Sequence, residues 1–301
     1  MANSSPSRPV TLSVLTILAN KYKIETLPSL VAALEQLTSN LLSASSPEDD
    51  ASRLEKITSV YALAAGMVRR YSGKEAKPLL QLIKDSPKDA KLGSELARRL
   101  EVIVVPQQPL TKENYALVKP LWVQKVYFEL VSPMLQAATG QDAEVQDQEI
   151  KSNYSTGVLL IVKHMNFPIY EADADKILRI SIAVAQNSDI GPETKAALDV
   201  LKNTLIEAPE KGKGHLRSII KICTRVFSHK SSTTSVDPET EGACGKLALE
   251  IVGGLPRMYE SQHLLPHAPQ VQRELTMVCG HRVREVRKTA RLARVAWADL
   301  K

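Results

Sequence analysis

Metal binding is the first chemistry that the residue types of this sequence suggest. Among three cysteines and six histidines, two short spacings occur: Cys279 is two residues from His281, and His263 is four residues from His267. Structural zinc needs about four ligands in tetrahedral geometry, commonly supplied as short-spaced pairs. His263 and His267 flank a turn at Pro266, so they need not share a helical face. We therefore predict exposed turn histidines, and we expect no metal site.

The cysteines do not indicate a disulfide framework or a cluster site. Their number is odd and no CxxC spacing occurs. Cys223 lies on an apolar stripe and Cys244 in a helix of small residues, so both are predicted to be core residues, whereas Cys279 is predicted to be half-buried. All three are expected in helices of different repeat units, with no bound cofactor.

The sequence contains no recognisable catalytic constellation. It has no glycine-rich phosphate loop after a strand, no GxSxG elbow and no HExxH element. Asp173 and Asp175 alternate at a helix start, where the helix dipole favours acidic side chains. We therefore expect a protein that is not an enzyme and has no catalytic residues.

The last predicted helix has the composition of a binding surface. At about 100° per residue, Val283, Val286, Ala290, Ala293 and Trp297 share one arc, and arginines occupy the adjacent arc. Arginine binds carboxylates with two parallel hydrogen bonds, and arginine and tryptophan are both enriched at the centres of protein interfaces. A solvated terminal face with Trp297 packed beneath it is the competing interpretation. The predicted partner-binding residues are Arg284, Arg287, Lys288, Arg291, Arg294 and Trp297.

Composition favours helices as the elements that position this surface. Apolar residues make up 44% of the 301 residues but aromatics only 4%, so the hydrophobic mass is aliphatic, which favours packed helices over sheets. The net charge of +6 is too small and too dispersed to require a nucleic acid partner. Residues 1–9 contain no signal-peptide core, and the longest apolar stretch is far shorter than the ~20 residues of a membrane helix. We expect a reducing location, in the cytoplasm and nucleus.

A repeat period organises these helices. Helix-start signals at Pro192 and Pro238 lie 46 residues apart, and another 46 residues lead to Arg284, where the last helix begins. Partner turns are predicted at Pro168, Pro209 and Pro256. Two helices repeating every ~40 to 47 residues are typical of HEAT or armadillo repeats. The sequence therefore predicts an all-α solenoid of stacked antiparallel helix pairs.

The predicted organisation covers the whole chain. Residues 1–9 are predicted to be a disordered or artificial leader, 10–110 N-terminal helical repeats, and 111–301 C-terminal HEAT repeats continuous with them. The chain also looks like a segment of a longer array. Exposed loops are expected at 43–50, 139–148 and 230–236, and an extended connector at 106–109. Helices are predicted at 10–23, 27–43, 51–71, 75–84, 88–105, 112–138 with a break near Pro120, 148–165, 169–186, 192–207, 213–229, 238–259, 266–280 and 283–299.

A family resemblance rests mainly on residues between 255 and 297. They are Leu255-Pro256, Leu264-Leu265-Pro266, Pro269-Gln270-Val271, Arg284, Val286-Arg287-Lys288, Ala290, Ala293-Arg294 and Trp297. This run resembles the C-terminal tail of the MMS-nineteen family, the HEAT-repeat targeting subunit of cytosolic iron-sulfur protein assembly. The likeness is good over about 150–301 and thin before 110. One departure is that Cys279-Gly280-His281 stands where HEAT turns usually carry an Asp, so Arg287 is expected to be free to face a partner.

The resemblance implies a non-enzymatic scaffold. Its C-terminal repeats would bind a small cysteine-bearing carrier subunit and a WD40 propeller subunit, while client iron-sulfur apoproteins, among them DNA replication and repair enzymes, would be presented by upstream repeats. The cluster would sit on a partner or client, with no membrane and no direct nucleic acid contact.

Three other functions fit a helical solenoid. An RNA-binding array would need a stacking aromatic or arginine at the same position of each unit. A HEAT-like DNA glycosylase would need a basic concave surface with a catalytic carboxylate. A transport or vesicle adaptor shares the architecture, and only the family resemblance disfavours it.

Overall fold

The computed structural model describes residues 8–43, 49–71, 77–106, 110–113, 115–140, 147–229 and 237–300. Over these ranges all regular structure is helical, and none of them contains a β-strand. The predicted all-α class is therefore confirmed. The chain forms two compact units, Met1–Tyr170 and Glu171–Lys301. Their boundary lies about 60 residues later than the predicted division near residue 110.

The second unit contains three helix pairs joined by short helical turns. Its helices are α9 (Ala174–Asn187), α10 (Pro192–Glu207), α11 (Pro209–Gly212), α12 (Leu216–Phe227), α13 (Pro238–Met258), α14 (Ser261–Leu264), α15 (Ala268–Val278) and α16 (Arg284–Ala298).

These pairs stack in two layers. Helices α9, α12 and α15 pack side by side in one layer, and α10, α13 and α16 in the other, while α9 packs on α10, α12 on α13 and α15 on α16. No pair can bury its apolar stripe alone, so each is stabilised by its neighbour. This arrangement confirms the HEAT-type repeat predicted from the 46-residue spacing.

The predicted helix starts of one layer are confirmed at Pro192, Pro238 and Arg284. A proline in the first turn loses no hydrogen bond there, because the first amides of a helix have no partner within the helix. At Pro238 a side-chain cap adds to this effect, since Asp237 accepts a hydrogen bond from the Thr240 amide at 3.0 Å.

The turn predicted at Pro256 is wrong. Pro256 lies inside α13, which continues to Met258, and the chain reverses through α14 and a 3-10 turn at Leu265–His267. A proline near the end of a helix removes only one ladder hydrogen bond, so α13 can continue past it for two residues.

The first unit contains helices α1 (Arg8–Lys21), α2 (Leu27–Leu42), α3 (Asp50–Tyr71), α4 (Lys77–Asp85), α5 (Gly93–Arg99), α6 (Trp122–Val126), α7 (Ser132–Ala138) and α8 (Gln148–Val162). A π-helical turn at Tyr127–Val131 joins α6 to α7. It ends two residues before Pro133, which cannot donate the regular hydrogen bond to the Glu129 carbonyl.

Helix α3 forms the centre of the first unit. It is buried on most sides, and α1 packs closely against it at Gly66, where an added Cβ would lie 2.1 Å from the Thr16 carbonyl oxygen. The approach of the two backbones therefore requires glycine.

The helix predicted over 112–138 begins only at Trp122. The segment before it is held by side chains and carbonyls of other helices: the Leu117 amide donates to Asn20 Oδ1 at 3.1 Å, and the Lys119 amide donates to the Arg69 carbonyl at 2.8 Å. Pro120 disfavours helical backbone at the preceding residue. Buried Arg69 in turn donates to the carbonyls of Ile103 and Val105 and stacks on Trp122.

The helix predicted over 88–105 is also shorter, because Asp89 accepts the amides of Lys91 and Leu92 in a turn before α5. Residues 1–7 of the predicted leader, most of the three predicted loops and residues 107–109 of the predicted connector lie outside the described residues. The leader predicted over 1–9 is wrong at its end, because Arg8 and Pro9 already belong to α1. Over the residues that are described, no helix has both the length and the apolar character needed to cross a bilayer.

Candidate functional site

Helix α16 has the apolar side that its sequence predicts. Val286, Ala290, Ala293 and Trp297 are buried, and they pack against α13 and α15. The remaining faces of α16 determine what the end of this repeat stack can bind.

Trp297 is not available to a partner, and the prediction that it anchors one is corrected. Its side chain is 0% exposed, and its Nε1–H donates to the Val252 carbonyl at 2.8 Å. That carbonyl has no regular helix donor, because the residue four positions later is Pro256. The indole of Trp297 therefore satisfies a buried acceptor of α13, and Trp297 is a core residue. The spacing of Val252 and Pro256 is the sequence signal that could have indicated this role.

Arg287 is also not free to face a partner, contrary to the prediction. It is half-buried, and its Nη1 donates to the carbonyl oxygens of His281 at 2.7 Å and Arg282 at 2.9 Å. His281 Nδ1 accepts a hydrogen bond from the Val283 amide at 3.1 Å. The imidazole therefore supplies an acceptor in the turn, at a place where HEAT turns usually carry an Asp. Arg287 therefore holds the turn before α16 closed.

Four of the predicted cations remain on the surface of α16: Arg284, Lys288, Arg291 and Arg294 are exposed. None of them forms an ion pair with another residue in the described part of the chain. Helix α16 contains five basic residues and one acidic residue, a net charge of +4 against +6 for the whole chain. Its surface is suited to an acidic partner, because complementary charge accelerates and orients association.

Two apolar residues of this surface were missed by the sequence reasoning. Leu292 is 65% exposed and Val295 is 60% exposed. The signal was present, since both fall outside the arc shared by Val286, Ala290 and Ala293. The exposed face of α16 is therefore a mixed cationic and apolar surface, which we call the α16 surface and define as Arg284, Lys288, Arg291, Leu292, Arg294 and Val295.

A cleft of about 420 Å³ lies where α12, α13 and α15 meet the turn before α16. Buried Glu241 accepts a hydrogen bond from Arg282 Nη2 at 2.6 Å, and Glu274 accepts one from the Ser228 hydroxyl at 3.0 Å. Both carboxylates have hydrogen-bond partners, so their role is structural. Glu241 fixes the turn before α16 through Arg282.

The cysteines are placed as core residues rather than as a reactive group. Cys223 and Cys244 are fully buried, as predicted, but they lie in α12 and α13 of one helix pair instead of in separate units. Burial raises the pKa of both thiols, that of Cys244 to about 11, so both are protonated at neutral pH. Cys279 is half-buried, as predicted. In the described ranges no three His, Cys, Asp or Glu side chains are placed to hold a metal ion together.

A solved structure with a similar fold is the crystal structure of an engineered protein from the Northeast Structural Genomics Consortium. It is 15% identical to this chain, with a TM-score of 0.52, and the alignment covers 88% of this chain and 96% of the engineered one. At this identity the likeness concerns the fold alone.

A curated relative is the MMS19 nucleotide excision repair protein homolog of Dictyostelium discoideum. It is 23% identical over 215 residues, which cover 70% of this chain and 18% of the relative. This chain therefore matches less than a fifth of the length of that relative.

A family model described as RNAPII transcription regulator C-terminal, MMS19_C, matches residues 2–237. The match includes the first 110 residues, where the likeness read from the sequence is thin, and it ends before α13 and α16, which carry the most specific residues of that likeness. Because the matched range covers well over half of the sequence, the chain belongs to the MMS19_C family of RNAPII transcription regulator C-terminal regions.

Proposed function

We propose that this chain is a non-enzymatic scaffold of the cytosolic iron-sulfur protein assembly targeting complex. In this proposal the C-terminal helix pairs bind the small cysteine-bearing carrier subunit and the WD40 propeller subunit. Clusters held by the carrier then reach apoproteins of the cytoplasm and nucleus, including enzymes of DNA replication and repair.

The observation that carries the proposal is the α16 surface. It presents Arg284, Lys288, Arg291 and Arg294 without ion-pair partners among the described residues, next to the exposed side chains of Leu292 and Val295. A surface that combines exposed arginines with exposed apolar side chains has the composition of a protein interface. Helix α16 is rigidly placed for this role, because its opposite face is buried against α13 and α15.

Family membership and the buried thiols agree with a scaffold. The family is named for transcription regulation, and the Dictyostelium relative for nucleotide excision repair. Both names suit a protein that serves nuclear nucleic acid enzymes. The protonated, buried Cys223 and Cys244 are poor cluster ligands, which agrees with a cluster that is held by a partner.

Copurification with a charge-reversed surface tests the proposal. Arg291→Glu with Arg294→Glu reverses two exposed cations, and Arg217→Glu with Lys221→Glu makes the same charge change on the exposed face of α12. Exposed substitutions usually change stability by within about 0.5 kcal/mol, so both variants should melt like the parent. The α16 variant should lose at least ten-fold in recovery of the carrier and propeller subunits, while the α12 variant should recover both fully.

Two results would count against the proposal. One is full recovery of both subunits by the folded α16 variant. The other is binding of single-stranded oligonucleotides that falls steeply with salt and is lost in the α16 variant, because that result assigns the cations to phosphate.

A further inference from the structure

The last two helices of one layer form a groove that is lined in part by glycine. The groove lies between α13 and α16 and has a volume of about 620 Å³. Gly253 allows close packing, because a Cβ added there would lie 3.1 Å from the Cβ of Ala293. Gly254 leaves the space above open, since the nearest atom to an added Cβ is the flexible end of Met258, at 3.3 Å.

The walls of this groove include apolar side chains with large exposed areas. Leu292 and Val295 line it from α16, together with Ala296, and Pro256 lines it from α13. Scattered exposed apolar residues are common on protein surfaces, but residues that converge on one concavity are typical of an interaction site.

In and beside the groove, exposed cations outnumber the carboxylates that have no ion-pair partner among the described residues. Lys288 lies one helical turn before Leu292, Arg291 lies one turn before Val295, and Arg257 is exposed on the α13 side. The acidic residue on the α13 wall, Glu250, already forms an ion pair with Lys202 at 2.7 Å. Asp299 is the other carboxylate of the lining. An occupant with acidic side chains is therefore favoured over a basic one.

The backbone around the groove favours a helical occupant. Both walls are helices, and most of their amides and carbonyls are hydrogen-bonded along the helix, so an extended peptide would find no continuous row of backbone partners there. A helix satisfies its own backbone and can bury an apolar stripe between two helices.

We propose that the groove between α13 and α16 binds an acidic amphipathic helix of a partner protein. Leucine-type side chains of that helix lie over Gly254 and against Leu292 and Val295. Its carboxylates lie near Arg257, Lys288 and Arg291. This inference rests on the proposed scaffold function and specifies the kind of partner segment that the α16 surface receives.

A designed peptide tests the groove directly. The probe is a fluorescent 18-residue helical peptide with leucine at helical spacing and glutamate elsewhere, and its controls are a scrambled peptide of the same composition and a peptide with lysine in place of glutamate. The full chain should bind the first peptide at least ten-fold more tightly than either control in fluorescence anisotropy.

Two variants of the chain assign that binding to the groove. Gly254→Leu fills it without changing charge, and Gly242→Leu is the matched control on the same helix, where an added Cβ makes only ordinary contacts with Val283 at 3.8 Å. Gly254→Leu should weaken peptide binding at least ten-fold and Gly242→Leu less than two-fold. The exposed pair Leu292→Ala with Val295→Ala should repeat the loss in case Gly254→Leu unfolds the repeat.

The inference is overturned if Gly254→Leu and the Leu292/Val295 pair both bind the acidic peptide as well as the parent does, or if the scrambled peptide binds equally well. The two proposals can fail separately. If the groove variants still recover the carrier and propeller subunits while the charge-reversed α16 variant does not, the groove inference fails and the scaffold function stands.

Discussion

At the scale of single residues, Pro256 and Trp297 are energetically coupled in the last repeat. Pro256 has no amide hydrogen, so it cannot donate the helix hydrogen bond that the Val252 carbonyl would otherwise accept. The Trp297 indole donates to that carbonyl instead, at 2.8 Å. A buried acceptor without a partner costs about 1 to 3 kcal/mol, so neither residue can be understood alone.

A double-mutant cycle measures this dependence. Trp297→Phe should lower the free energy of unfolding by more than about 1 kcal/mol, because the Val252 acceptor loses its donor and the smaller phenyl ring leaves part of the buried indole site empty. In a Pro256→Ala background the new backbone amide can bond Val252, so the same substitution should cost less by about 1 kcal/mol. Urea unfolding of the four proteins gives the values. Equal costs in both backgrounds would show that the indole hydrogen bond contributes nothing.

His281 makes the turn before α16 sensitive to pH. Burial lowers the pKa of His281, the charges of Arg282 and Arg287 lower it further, and Glu241 opposes them. The Val283 amide donates to Nδ1, an arrangement that needs the neutral imidazole. In the unfolded chain the ordinary value is about 6.5, so the unfolded state binds the proton more readily. The contribution of His281 to stability is present above about pH 6.5 and is lost as the pH falls below it.

Thermal unfolding between about pH 5 and 8 tests this assignment. His281→Asn keeps a side-chain acceptor that can bond the Val283 amide but does not titrate. Between about pH 5 and 6.5 the stability of the parent should fall with decreasing pH more steeply than that of His281→Asn. Parallel curves would place the pH dependence on other groups.

At the scale of elements, two glycines inside helices have opposite roles. At Gly66 of α3 an added Cβ would lie 2.1 Å from a backbone oxygen of α1, whereas at Gly245 of α13 it would meet no atom within 4 Å. Gly66→Ala should therefore destabilise the protein by about 1 to 3 kcal/mol through overpacking. Gly245→Ala should stabilise it by about 0.5 to 1 kcal/mol, because glycine weakens a helix interior.

Urea denaturation of these two alanine variants compares the same substitution at two helical glycines. If both variants lost stability to the same extent, the close packing of α1 on α3 would not be the cause. A gain in stability for Gly66→Ala would contradict the contact itself.

The helices of the second unit were predictable because local signals and packing agree there. Pro192, Pro238 with the Asp237 cap, and the apolar stripe of α16 all act within a few residues of the elements that they define. The segment before Trp122 was not predictable, since Asn20 and Arg69, 50 or more residues away in the chain, supply its hydrogen bonds.

The candidate site was predictable in composition but not in exposure. The amphipathic pattern identifies α16 and its cations, yet Trp297 is buried because of Pro256, and Arg287 is held by the turn carbonyls. Both outcomes depend on hydrogen bonds to backbone carbonyls. The spacing of Val252 and Pro256 marks one carbonyl without a helix donor, but only the packed helices show that Trp297 donates to it. The groove at Gly253 and Gly254 likewise appears only when α13 and α16 are packed together.

At the scale of the whole molecule, basic charge is concentrated in the final helix. The net charge of α16, +4, compares with +6 for all 301 residues, so charges elsewhere nearly balance. A stack of helix pairs with one strongly cationic and partly apolar helix suits a scaffold that binds partners at one place. We therefore expect the α16 surface to be covered when the assembly subunits bind.

Hydroxyl-radical footprinting of the chain, alone and in complex with the carrier and propeller subunits, tests whether the α16 surface is covered. Leu292 and Val295 are the probes, and Phe128 and Met277 are references of similar exposure, 65% and 60%, outside the α16 surface. Oxidation of Leu292 and Val295 should fall several-fold in the complex, while oxidation of the reference residues should stay unchanged. A saturated complex in which Leu292 and Val295 are oxidised as fast as in the free chain would contradict it.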